Sequence, residues 1–237
     1  MIPPGVVYKK LLGYFGRQGW WPVTPAGCLH PEYFPGRYPR LSEKELFEIC
    51  SGAILTQNTA WTNVEKALFN LHAAGVFLPA DALVLTERRL AELIRPSGYY
   101  NQKAARLRMF ARHCESSGSV SALFMPPLPA ARNALLSLNG IGPETADSML
   151  LYAGGKRIFV VDAYTLRLSE RLGWNVARQY DALQRYFMES LPPSVKLYME
   201  FHALIVAVGK NFCRRTPQCV GCPLAGGGCD GKLRRKA

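Results

Sequence analysis

The chain has no uninterrupted apolar run near the roughly 18–20 residues that a membrane-spanning helix needs, so no membrane anchor of that kind is expected. Its opening, Met1-Ile2-Pro3-Pro4, lacks the basic-then-apolar order of a secretory signal; a cytoplasmic protein with no membrane contact is expected. Low-complexity tracts and internal repeats are absent. Two-residue alternation of apolar and polar side chains is nearly absent too, Arg157–Val161 being the one short candidate strand, which points to an all-α fold. Acidic residues are scarce. With 17 Asp and Glu against 29 Lys and Arg, the formal net charge of +12 calls for an anionic partner, and DNA suits it better than a lipid surface.

At 237 residues and 49% hydrophobic content, the chain can bury one large core or two smaller ones. Helical periodicity dominates. Ser42-Glu43-Lys44-Glu45 is a capping box that opens an apolar series through Leu46, Phe47, Ile49, Cys50, Ile54 and Leu55. Further helices are expected over 62–74, 86–94, 102–115, 130–138, 143–152, 163–172, 181–191 and 195–212, several stopped by Gly or Pro.

Between two of these helices stands Leu138-Asn139-Gly140-Ile141-Gly142-Pro143-Glu144-Thr145-Ala146, followed by Val161-Asp162-Ala163-Tyr164. The glycines allow a tight turn that brings backbone N–H groups close to a phosphate, and Pro143 suits the first turn of a helix. Such a turn grips DNA without reading its sequence. A carboxylate at Asp162, beside a clamped sugar, could activate water and stabilise positive charge on that sugar. Each feature also has a plainer meaning, an interhelical turn for the glycines and an N-cap for the aspartate. Capping and catalysis are compatible, because a helix N-terminus favours the ionised carboxylate.

Four of the seven cysteines crowd the end of the chain: Cys213, Cys219, Cys222 and Cys229, spaced C-x5-C-x2-C-x6-C. That is a metal-site pattern. Zinc and an iron–sulfur cluster both accept four thiolates, and spacing alone does not separate them. Disulfides are the third reading, disfavoured without an export signal. Cys50 sits in an apolar helical stretch where a small buried thiol fits.

The glycine turn, the aspartate and the cysteine run together resemble the helix-hairpin-helix DNA glycosylases of the endonuclease III superfamily. Gly142-Pro143-Glu144-Thr145-Ala146-Asp147 with Val160-Val161-Asp162 and Trp20-Trp21-Pro22 is most similar to its 3-methyladenine branch. The resemblance implies two helical domains flanking a DNA-binding cleft. One would span 42–157 and end in the hairpin; the other would combine 1–41 with 158–237 and carry a [4Fe-4S] cluster on the four cysteines. The family's outer cysteine spacings usually run the other way round.

By the same resemblance Asp162 is the catalytic carboxylate, and Gly140, Ile141, Gly142 and Thr145 hold DNA. Gln57 matches a glutamine that the family inserts into the base stack. Tyr99, in Gly98-Tyr99-Tyr100-Asn101-Gln102-Lys103-Ala104, matches the wedge beside the orphaned base. Bifunctional members carry at position 144 a lysine that attacks the sugar; Glu144 cannot form an imine, so base removal without strand cleavage is expected. Glu144, Trp20 and Trp21 are expected in a pocket for a cationic alkylated purine, through charge and cation–π contact. Lys156, Arg157, Arg167, Arg171, Lys210, Arg214, Arg215 and the run Lys232 to Lys236 are the basic groups near these elements. A monomer acting on double-stranded DNA is expected. Excision of uracil or mismatched thymine on the same fold is the nearest alternative; a non-catalytic DNA-binding module and a redox-sensing one are others.

Overall fold

In the computed structural model, the described residues are 2–38, 40–174, 179–226 and 229; the basic run Lys232 to Lys236 lies outside them. They form eleven α-helices: α1 (Pro4–Phe15), α2 (Glu43–Leu55), α3 (Trp61–Ala73), α4 (Pro79–Val84), α5 (Glu87–Leu93), α6 (Tyr100–Ser116), α7 (Leu128–Leu136), α8 (Pro143–Ser148), α9 (Ala163–Arg171), α10 (Tyr180–Ser190) and α11 (Val195–Asn211). Among them no strand is present, and the isolated pairings Val23 with Glu32 and Ala225 with Cys229 are all that is sheet-like. The chain divides into a middle unit, 21–34 plus 38–156, and a terminal unit, 1–20, 35–37 and 157–237.

The middle unit is built around α2, whose residues from Leu46 to Leu55 are all buried. Its start follows from the capping box: Ser42 N donates to Glu45 Oε2 at 2.7 Å, and Glu45 N to Ser42 Oγ at 3.4 Å. α2 packs on α3, α6 and α8. Residues 21–34 lie against this helix as a strap, fastened by Glu48. That buried carboxylate accepts the Thr24 hydroxyl at 2.8 Å and the Thr24 N–H at 3.0 and 3.1 Å. A continuous helix over 143–152 is not what forms. α8 ends at Ser148 and the chain widens into a π turn, Met149–Ala153, where Gly154 N reaches the carbonyl of Met149.

In the terminal unit α11 packs against α1 and α9, and α1 against α10. The core is aromatic. Phe159 stacks on Phe187 at 4.2 Å, with Tyr198 and Phe201 edge-on at 5.7 and 5.9 Å. The strand expected at 157–161 does not form, because no second strand pairs with it. Ile158 to Val161 instead run as buried, irregular chain. Side chains satisfy its backbone: Gln184 Nε2 donates to the Phe159 carbonyl at 2.6 Å, and Val161 N donates to the Tyr180 hydroxyl at 3.4 Å.

Candidate active site

That buried segment delivers Asp162 to the N-terminus of α9, where it is the N-cap in extended backbone conformation. One carboxylate oxygen, Oδ1, accepts both the N–H and the hydroxyl of Thr165, each at 2.7 Å. The other, Oδ2, stands 3.7 Å from His202 Nε2 of α11. Burial alone would push the carboxyl pKa up; the neighbouring imidazole of His202 and the two donors of Thr165 outweigh it and hold Asp162 below the ordinary carboxylate value. The group is therefore an anion kept in a place that disfavours anions. Such a carboxylate can accept a proton from water or face a developing cation.

The hairpin belongs to the middle unit. Gly140 has φ +81°, which favours glycine, and a Cβ there would have to displace the Arg106 side chain. Ile141 and Thr145 are buried, while Gly142, the N-cap of α8, is exposed. Gln57, just past α2, is drawn onto this turn. Its Nε2 donates to the Gly140 carbonyl at 3.0 Å and to Thr145 Oγ1 at 2.9 Å, and its Oε1 accepts from Arg106 at 2.5 Å. The glutamine and the hairpin, 83 residues apart in sequence, thus form one hydrogen-bonded group, with Arg106 as a member that sequence reasoning did not name.

Tyr99 is 66% exposed and sits at φ +46°, a left-handed conformation unusual for a side chain of its size. Behind it Lys103, 1% exposed, donates to the carbonyls of Ser97 at 2.7 Å and Leu55 at 2.8 Å. Burial and the neighbouring Arg106 charge bring its pKa down to about 8. The ammonium thus ties the two loops that lead into Gln57 and Tyr99.

The tryptophans part company. Trp21 packs in the middle unit edge-on to Trp61 and Tyr152, both at 5.3 Å, and over Gly52, whose missing Cβ leaves room for the indole. Trp20 belongs to the terminal unit, with the Lys210 ammonium 6.0 Å from its ring. Glu144 is exposed in the first turn of α8.

Near the cysteines one of the basic groups turns inward. Arg171 does not face solvent as a phosphate ligand would: it is 1% exposed and donates to Cys213 Sγ at 3.0 Å and to the carbonyls of Arg214 and Arg215 at 2.6 and 3.0 Å. Arg167 Nε donates to the Cys213 carbonyl at 2.6 Å, with its guanidinium over Tyr164. Among the described residues no set of three or more His, Cys, Asp or Glu stands in metal-holding geometry. The donor chemistry nevertheless fits a thiolate-bound metal centre. Cys222 lies within electrostatic reach of Cys229, Cys213 and Cys219, which, after burial, push its thiol pKa up, and a buried guanidinium already points at the sulfur of Cys213.

Residues 51–193 match the HhH-GPD superfamily of base excision DNA repair proteins. A protein of Methanocaldococcus jannaschii provisionally named a DNA repair glycosylase is 40% identical over 222 residues, covering 92% of each chain. Endonuclease III of Thermotoga maritima is 29% identical over 191 residues, 78% of this chain and 84% of that one. Among solved structures, the Helicobacter pylori 3-methyladenine DNA glycosylase bound to 1,N6-ethenoadenine superposes with a TM-score of 0.71 at 28% identity, over 88% of this chain and 98% of that one.

Proposed function

The chain belongs to the HhH-GPD superfamily of base excision DNA repair proteins, and from that premise we propose that it is a monofunctional DNA glycosylase acting on alkylated purines such as 3-methyladenine. The observation that carries this reading is Asp162. A buried carboxylate held ionised, with Oδ1 occupied by the helix cap and Oδ2 facing His202, is what hydrolysis through a cationic sugar requires.

In this reading the hairpin N–H groups of Gly140 and Gly142 grip a phosphate with Ile141 and Thr145 shaping the turn, Gln57 and Tyr99 enter the stack as the damaged nucleotide flips out, and Asp162 directs water to C1′. Glu144 and Trp21, both of the middle unit, receive the flipped base. Alkylation leaves the purine cationic, so it departs readily and needs little protonation. Glu144 replaces the lysine of bifunctional relatives, and the buried Lys103 offers no substitute, since both its carbonyl partners and its burial keep Nζ from a sugar. Similarity to a 3-methyladenine glycosylase structure over most of both chains supports the substrate class. Cys213, Cys219, Cys222 and Cys229 would hold a [4Fe-4S] cluster, which when bound supplies a rigid staple for the loop that carries Arg214 and Arg215.

Duplexes containing a single alkylated purine, uracil or a mismatched thymine, treated with enzyme and then mild alkali, test the reading. Abasic sites are expected from the alkylated purine, with no strand cleavage before alkali and no adduct trapped by borohydride. Release of uracil or thymine alone would overturn the substrate class, and efficient trapping would overturn the monofunctional mechanism.

A further inference from the structure

The two oxygens of Asp162 have different neighbours. Oδ1 is filled by the Thr165 N–H and hydroxyl, which complete the cap of α9. Oδ2 faces Nε2 of His202 at 3.7 Å, and the two side chains are only 10% and 12% exposed. The acid two residues before His202 is engaged elsewhere, Glu200 accepting the Gln18 N–H at 2.6 Å and lying 4.0 Å from Arg17.

Nor is His202 needed to bring α9 and α11 together. A Cβ on Gly209 would overlap the ring of Tyr164, so close approach is set there, and Arg167 and Arg171 fasten α9 to the residues after α11. A titratable ring placed beside the reactive oxygen of a helix cap asks for another purpose.

Building on the reading of Asp162 as the catalytic carboxylate, we infer that His202 is its positioning residue: the imidazole fixes the direction of Oδ2 and favours its ionised form. In the step served, the C1′–N bond breaks with its electron pair on the departing base. The water oxygen bonds to C1′, and a proton of that water passes to Oδ2. A carboxylate pinned only through Oδ1 could swing its second oxygen; the imidazole supplies the second point of restraint. The lowered pKa of Asp162 agrees with this arrangement.

Four variants, His202→Ala, His202→Leu, His202→Asn and Asp162→Asn, test the role. Base release from methylated duplex DNA is followed in single turnovers, affinity is measured on a duplex with a tetrahydrofuran abasic analogue, and melting temperature monitors folding. The expected result is a loss of about 10- to 100-fold in release rate for His202→Ala and His202→Leu, the scale on which misplacement of a reacting group acts. Affinity should stay within about twofold and melting temperature should hold. His202→Asn, which keeps an N–H donor, should recover most of the rate. A wild-type rate in His202→Ala, or no recovery in His202→Asn, would overturn the inference, as would parallel loss of rate and melting temperature in all three His202 variants. Full activity in Asp162→Asn would instead overturn the reading on which it rests.

Discussion

Glu48 is an acid that the fold buries without a cation of fixed charge beside it among the described residues, its nearest basic neighbour being His72. It is 5% exposed, and burial pushes its pKa up to about 7, the Thr24 N–H and hydroxyl only partly opposing this. The protonated form is thus favoured in the folded chain relative to the unfolded one. Its contribution to stability is complete below pH 4.5, the ordinary value, and is lost as pH rises through 7; a shift of that size corresponds to about 3 kcal/mol. His72, 3.9 Å away, has its pKa lowered by burial, so its slope has the opposite sign at and below its ordinary 6.5. Comparing wild type with Glu48→Gln isolates the first effect. The melting temperature of wild type minus that of the variant should fall by on the order of 5–10 °C between pH 4.5 and 7.5. A constant difference would mean that the carboxyl titrates at its usual pH. None of this was legible in the sequence, where Glu48 is one acid in an amphipathic run; burial depends on the strap returning over it. His202 was hidden for a similar reason, since its meeting with Asp162 spans forty residues. Asp162 itself was legible, because an aspartate before an apolar helix after a glycine turn carries its context locally.

At the scale of elements, the hairpin is where local signals sufficed: two glycines, a proline and flanking apolar stretches specify a turn and a helix start wherever they occur. Its coupling to Gln57 through Arg106 was not, as hydrogen bonds between distant segments leave no periodicity. Gly140→Ala tests that coupling. The methyl group must adopt φ +81° and displace Arg106, so stability should drop by about 1–2 kcal/mol. DNA affinity should weaken alike for damaged and undamaged duplexes, read by fluorescence anisotropy; loss confined to the damaged duplex would count against a sequence-blind clamp. α1 escaped the sequence reading because its Pro, two Gly and paired Val are weak helix formers in isolation, and it is docking on α11 that fixes it. α4 has six residues, too few to display a period.

For the molecule as a whole, charge and cysteines argue together. The basic groups of a chain with formal charge +12 can release the cations condensed on a DNA backbone, and Arg171 of α9 holds the backbone of Arg214 and Arg215 in the cysteine loop. Purified protein is expected to be yellow-brown, with about four iron and four sulfide per chain, and Cys222→Ser should lower both the iron and the soluble yield, because metal binding and folding of such a loop are coupled. Stoichiometric zinc in colourless protein would replace the cluster with the other metal that four thiolates accept. The division into units carries a different consequence, for the order in which the chain is made. When residue 156 leaves the ribosome, the strap 21–34 is already free to lie over Glu48, so every part of the middle unit is available for folding during synthesis. The terminal unit has to wait. α1 is among the first segments made, and its partner α11 is not complete until Asn211, so the surroundings of Asp162 are assembled last, when the unit that holds the hairpin can already be folded.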